Sequence, residues 1–276
     1  MKTIFIILIS LAAFLLLSFG VFLILIKPGK RRAKVEKFKS LAYAHRGLHG
    51  GGRAENSLSA FRSAVDAGFA IELDVRLSAD GVLVVFHDDT LERVCNAEGR
   101  VDEKTAKELS QIHLSGTEDT IPTFAEVLSL VDGRVPLLVE IKEDAGKYSV
   151  TEKAVEALRG YDGEFIIESF NPLALARVKK LMPTAVRGIL SESFLKEKKY
   201  RSPTYFLLQN MLLNFLCKPD FVAFNHEHSK NCALRIVRGL FGVPTLAWTV
   251  RGEREERCAK SHGFDGIIFE NYIPRS

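Results

Sequence analysis

Apolar positions fall into two regimes along the chain. From Thr3 to Ile26, twenty-four consecutive residues carry no formal charge and are mostly Ile, Leu, Phe and Val, enough to cross a bilayer core as a helix. A cleaved signal peptide is the competing reading. Its apolar stretch would be roughly 7–15 residues and would end in small residues, whereas this run ends at Lys27-Pro28-Gly29-Lys30. Beyond residue 40, short apolar runs of strand character alternate with longer segments of helical period. Eight strands are predicted at about 41–45, 70–75, 137–142, 165–169, 186–190, 221–225, 245–250 and 266–269.

Helices fit between the strands. The segment 57–67 opens on Ser57 and stops at Gly68, and 172–181 starts with Pro172 and meets Pro183 beyond its end, both ordinary helix boundaries. Eight strands joined mainly by helices predict an α/β fold of the (β/α)8 TIM-barrel type filling residues 40–276. An open doubly wound sheet is the alternative, but Gly50-Gly51-Gly52 lacks the spacing of a phosphate fingerprint. After the second strand, Asp80-Gly81 and the apolar run 82–86 predict a hairpin. The segment up to about 121, helix-prone at 103–111, reads as a small insertion (about 79–121) over the barrel mouth.

Charge divides the chain at the same place. Residues 1–39 hold eight bases and one acid, a net +7 against +4 for the whole chain, so the remainder is mildly acidic. Lys27, Lys30, Arg31, Arg32, Lys34, Lys37 and Lys39 form a basic juxtamembrane stalk (27–39) beyond the span (1–26). The positive-inside rule then puts a single-pass protein's folded body in the cytoplasm. The stalk suits anionic lipid headgroups, or serves only as a topology signal. An acidic folded body argues against nucleic acid. Cys95, Cys217, Cys232 and Cys258 form no C-x-x-C pair and read as reduced, structural thiols.

Strand periodicity singles out the chemistry. In Ile71-Glu72-Leu73-Asp74-Val75 the two acids share one face, and Leu138-Val139-Glu140-Ile141-Lys142 repeats the arrangement. Three carboxylates converging at adjacent strand ends would make a hard-oxygen cage for one divalent cation, Mg²⁺ or Ca²⁺, with Lys142 meeting a phosphate. His45 and Arg46 lie where the first strand should end, and His87 closes the hairpin strand. Two histidines suit the acid and base steps of phosphodiester cleavage.

These residues resemble an ordered family pattern covering nearly everything from Ala42 onward. It appears as His45-Arg46-Gly47, Ala54-Glu55-Asn56-Ser57, Glu72-Leu73-Asp74, Asp80-Gly81, His87-Asp88, Ile121-Pro122-Thr123, Glu140-Ile141-Lys142, Ser169-Phe170 and Trp248-Thr249-Val250. The pattern is that of the glycerophosphodiester phosphodiesterases. Ala54 replaces the usual Pro and Ser57 the usual Thr, and neither change removes a catalytic group. The resemblance implies His45 and His87 as the acid–base pair, Glu72, Asp74 and Glu140 as metal ligands, Arg46 and Lys142 as phosphate-charge stabilisers, and Trp248 as a wall of the substrate pocket. It also implies the barrel shared with phosphoinositide phospholipases, in which attack by a neighbouring substrate hydroxyl can precede hydrolysis of a cyclic phosphate.

The expected reaction is hydrolysis of glycerophosphodiesters or lysophospholipid-like diesters to a phosphomonoester and an alcohol. A catalytically silent headgroup-binding barrel and a phosphodiesterase acting on intact phospholipids are the rivals. His226-x-His228, His49, His113 and His262 are set aside as structural, and Asn225 and Glu270 as rim residues. Segment 205–216, apolar around most of a helix, is either an outer barrel helix or, if Phe206, Leu207 and Phe215 are exposed, an interfacial lid.

Overall fold

A computed structural model describes residues 2–30, 32–114, 116–144 and 146–274. Nine strands form one sheet: β1 (Ala42–Ala44), β2 (Ala70–Leu77), β3 (Leu83–Val85), β4 (Leu137–Ile141), β5 (Phe165–Ser169), β6 (Arg187–Ser191), β7 (Phe221–Asn225), β8 (Thr245–Val250) and β9 (Gly266–Phe269). All except β3 are parallel, and β1 pairs with both β2 and β9, which closes the predicted eight-stranded barrel. β3 folds back antiparallel on β2 through the Asp80-Gly81 turn, with Val75 opposite Val85. Local chemistry sets the connecting helices. Ser57 caps Leu58–Asp66 by accepting from the Ala60 amide, and Asn171 caps Pro172–Leu181, whose first residue is the proline.

Alternation along the strands sorts side chains between two environments. Ile71, Leu73, Val75, Val139, Ile141, Ile167, Val222 and Ala247 face the helices and join one core. Tyr43, Ala70, Leu138, Ile166, Phe221, Ala223, Leu246 and Ile268 face the barrel axis and fill its lower half. Phe221 needs room there, and Gly188 on the neighbouring strand supplies it: a Cβ at Gly188 would lie 2.2 Å from the Phe221 ring.

The lower end is closed by the segment read from sequence as a stalk. Arg32–Val35 is helical, and Val35 and Phe38 are buried against the interior residues, with the Phe38 carbonyl accepting from the Tyr43 hydroxyl at 3.0 Å. Lys37 pairs with Glu164, just before β5. The segment is therefore fastened under the barrel by Val35 and Phe38, its two large apolar residues, which find an unfilled apolar end there, while its described lysines other than Lys39 stay exposed.

Elsewhere the observed elements refine the expected ones. Four strands keep their predicted limits, while β1 is shorter and β2 runs two residues further to pair with β3. The 79–121 insertion carries a small core of its own, including Phe86, Leu91, Val94, Leu109 and Ile121. Its predicted helix at 103–111 is reduced to Ala106–Leu109, capped by Thr105 and Glu108. Segment 205–216 is not one helix: Pro203–Gln209 and Asn214–Cys217 are separated by Met211 in the left-handed region. Met211 and Cys217 are buried in the outer core, while Phe206, Leu207 and Phe215 stay exposed.

Overpacking at the Gly188–Phe221 contact yields a direct expectation. Gly188→Ala should lower stability by about 1–3 kcal/mol, read as a drop in the thermal midpoint of the full chain, and Phe221→Leu in that background should recover part of the loss. An unchanged midpoint would mean that the ring can move aside.

Candidate active site

The upper half of the barrel interior is polar. Glu72 and Asp74 on β2 and Glu140 on β4 all point inward, and the register places Asp74 directly beside Glu140. One carboxylate oxygen from each lies within 4.8 Å of the others, and all three side chains are buried. This is the convergence that strand periodicity predicted.

Such a cluster cannot stand uncompensated in a low-dielectric interior, and two cations reach it. Lys142 lies 2.6 Å from Glu140 and 3.1 Å from Asp74. Arg46 binds through two parts of the residue: its amide donates to Glu72 at 2.9 Å, while its guanidinium lies 3.4 Å from Asp74 and 2.6 Å from Glu55. The amide reaches Glu72 because Arg46 occupies the left-handed region (φ 56°), a costly conformation for a side-chain-bearing residue. Gly47 follows at φ 82°, where a Cβ would fall 2.9 Å from the Ala60 side chain. Asn56 completes the shell by donating to Asp74 at 2.8 Å.

The three acids are driven apart electrostatically. Burial pushes Glu72 well above the usual carboxylate range, and Asp74 and Glu140 add to the shift. Burial likewise raises Glu140 to about 7, with Lys142 opposing. Burial would raise Asp74 too, but Lys142, His87, Arg46 and Asn56 outweigh it and hold that carboxyl well below its ordinary value. Ionising all three together requires further positive charge among their oxygens, and the donor set, three carboxylates without sulfur or imidazole, fits a hard divalent cation.

Both expected histidines border this cluster. His45 Nε2 lies 4.0 Å from Glu72, while its Nδ1 is 2.6 Å from Glu270 at the end of β9. His87 Nδ1 is 2.5 Å from Asp88, which is held in turn by Arg93, and Arg93 also pairs with Glu55. Burial lowers both imidazoles, His87 to about 4, and for His45 it outweighs the opposing bond to Glu270. Trp248 on β8 points inward in an aromatic wall: its ring meets Phe170 edge-on at 5.6 Å, and Phe170 meets Phe194 at 6.0 Å. All eight expected site residues therefore gather at one mouth.

Three neighbours were missed or set aside at the sequence level. Glu270 does lie at the rim, but it also grips His45 and Arg251, and these with His49 hold its carboxyl far down despite burial. His49, set aside as structural, stands 3.7 Å from Glu270 and forms with His45 and Glu270 a second group of potential ligands. Glu168 on β5 sits beside Glu140 in register, fully buried, and burial followed by Glu140 and Glu72 pushes its carboxyl well above the normal range. Strand alternation with Ile166 was the available signal for Glu168. Nothing local announced the Glu270 contact, since 225 residues separate it from His45. Three of the other histidines are occupied elsewhere: His226 faces the Thr249 carbonyl, His228 accepts from the Ser193 amide, and His262 meets Ser229.

Known proteins share both sequence and fold with this chain. A curated glycerophosphodiester phosphodiesterase of Caldanaerobacter subterraneus is 34% identical over 245 residues, covering 84% of this chain and 95% of the relative. One from Bacillus subtilis is 25% identical over 288 residues, covering 94% of each. Among solved structures, a phosphodiesterase of Oleispira antarctica in complex with the product sn-glycerol-3-phosphate superposes with a TM-score of 0.70 at 24% identity, covering 85% of this chain and 94% of that one. The glycerophosphodiester phosphodiesterase of Thermotoga maritima gives 0.64 at 25% identity, covering 83% and 93%. Residues 45–273, from the first mouth histidine to just past Glu270, match the glycerophosphoryl diester phosphodiesterase family, and the chain belongs to that enzyme family.

Proposed function

We propose that this protein is a membrane-anchored phosphodiesterase that uses one divalent cation, Mg²⁺ or Ca²⁺, to hydrolyse glycerophosphodiesters to a phosphomonoester and an alcohol. One observation carries the reading: a buried carboxylate triad lies between two imidazoles whose Nδ1 atoms are both taken by carboxylates. A carboxylate at Nδ1 favours the tautomer protonated there, which leaves both Nε2 atoms for proton transfer.

Glu72, Asp74 and Glu140 would hold the cation, whose chemistry is to neutralise charge on the phosphate. Arg46 and Lys142, beside Asp74, bind and orient the phosphate oxygens. One imidazole takes the proton of the attacking hydroxyl through Nε2. The phosphorus–oxygen bond to the departing alcohol breaks, and the other imidazole, entering the step as the imidazolium protonated on both nitrogens, gives its Nε2 proton to that alcohol. Where the attacking group is a neighbouring substrate hydroxyl, water then opens the cyclic phosphate with the two roles exchanged. The same scissile group occurs in lysophospholipid-like diesters, and the aromatic wall of Trp248, Phe170 and Phe194 offers apolar surface to the alcohol portion.

Helix Lys2–Ile26, apolar and long enough for a bilayer, supports the anchor. The basic residues beyond it support a cytoplasmic catalytic domain and contact with anionic headgroups.

Activity of the full chain should be lost on chelation and restored by Mg²⁺ or Ca²⁺, and Glu140→Gln should block that restoration; turnover indifferent to chelator would remove the cation from the scheme. Binding is separately visible as a change in emission from Trp248, the single tryptophan, when the cation or glycerol phosphate is titrated. Because Glu270 orients His45 rather than touching phosphate, Glu270→Gln should cut kcat by about 10- to 100-fold with little change in KM. A KM effect alone would reassign Glu270 to substrate binding.

A further inference from the structure

The apolar helix is not joined to the barrel through a loose tether. Ile26, its last residue, is completely buried, and its carbonyl accepts from Asn214 Nδ2 at 3.2 Å. The Gly29 amide donates to the Pro219 carbonyl at 2.8 Å, and Lys218 Nζ reaches the Lys27 carbonyl at 3.4 Å. The bonds from Asn214 and Lys218 satisfy carbonyls that a helix end leaves open, and all three fasten it to the segment just before β7. Val35 and Phe38 then plug the barrel from beneath. Every one of these partners lies at the N-terminal ends of the strands, whereas the catalytic groups lie above the apolar lower layer, from Glu72 part-way along β2 to His45 and Glu270 just beyond the ends of β1 and β9. Side chains from Lys2 to Phe19 are exposed, so the helix leaves the barrel there rather than lying along its wall.

We propose that the anchor holds the barrel by its closed end, so that the catalytic mouth opens away from the bilayer and takes acyl-free, water-soluble glycerophosphodiesters rather than lipids embedded in the anchoring membrane. The proposal rests on the phosphodiesterase reading above and on the helix remaining in the membrane. A five-residue strand such as β7 is about 17 Å long and is tilted by about 36° in a barrel of this type, so the apolar lower layer and the plug together set the site on the order of 10 Å above the end from which the anchor leaves. A lipid of the same membrane would have to withdraw its chain from the bilayer to present its diester, losing the burial of every methylene. Exposed Phe206 and Leu207 belong to the mouth side, because the helix that carries them receives the Ser191 hydroxyl at the Leu208 carbonyl. They are therefore directed away from the membrane that holds the anchor. The surface nearest the bilayer is instead basic and apolar: Lys27 and Lys30 line a groove with Phe241, beside exposed Leu240, a pattern that suits anionic headgroups.

The test uses the full chain in vesicles of phosphatidylcholine and phosphatidylglycerol containing a headgroup spin-labelled lipid. Native Cys232, exposed at the start of a mouth-side helix, carries the fluorophore in a Cys258→Ser background. A second protein, Leu240→Cys with Cys232→Ser and Cys258→Ser, carries it at the closed end. Strong quenching at position 240 with little at 232 is expected; equal or stronger quenching at 232 overturns the orientation, as does finding that the full chain, once expressed, has its helix cleaved off and the barrel released into the soluble fraction. In the same vesicles, dissolved glycerophosphocholine should be cleaved at least about tenfold faster than lysophosphatidylcholine lodged in the bilayer, since displacement of a reacting group costs rate steeply. Faster cleavage of the embedded lipid overturns the substrate assignment. The expected quenching without hydrolysis of either compound would instead remove the phosphodiesterase reading and leave the orientation standing.

Discussion

Three carboxylates brought within 4.8 Å of one another inside a barrel set the terms for everything around them. Like charges at that separation repel strongly where water is excluded, and each acid also loses solvation. The surrounding sequence is organised to offset this. Arg46 accepts a left-handed backbone so that its amide and guanidinium both face acids, Gly47 lets that turn press against Ala60, and Asn56 and Lys142 take most of what remains. The residual imbalance, visible as Glu72 and Glu140 pushed upward while Asp74 is held down, leaves a charge pattern that would suit a hard cation and an anionic ester together. An apolar pocket of the same shape would be easier to fold and would have no use for either ligand.

Stability and chemistry occupy opposite ends of the barrel. Its lower interior is filled by Tyr43, Ala70, Leu138, Ile166, Phe221, Leu246 and Ile268 and sealed by Val35 and Phe38. The same strands, one or two alternations further on, carry Glu72, Asp74, Glu140, Glu168, Trp248 and Glu270. A strained, charge-dense mouth is tolerable because the closed end supplies dense packing. The apolar helix is attached at that closed end, away from the charged mouth.

Much of this was legible in advance. β5, β7, β8 and β9 keep their predicted limits because buried parallel strands are continuous apolar runs bounded by clear breakers. Glu72 with Asp74 and Glu140 with Lys142 could be assigned to one face from period two alone. The failures share a cause. Segment 205–216 is uniformly apolar, so composition could not reveal the break at Met211. The basic segment 27–39 was read through its charges, and its two apolar residues, which turned out to decide its place, were too few to form a pattern.

From the chain alone followed every property that depends on neighbours in sequence: the alternation of strands and helices, which side chains share a face, the length of the first apolar run and the residue types capable of phosphodiester chemistry. Only the folded chain decided which distant groups meet. Barrel closure places β9 beside β1, which brings Glu270 and His49 to His45 and sets that imidazole's orientation. It likewise fixes the height and direction of the mouth relative to Ile26, Asn214 and Phe38. Those contacts arise from long-range packing, and no local period in the sequence encodes them.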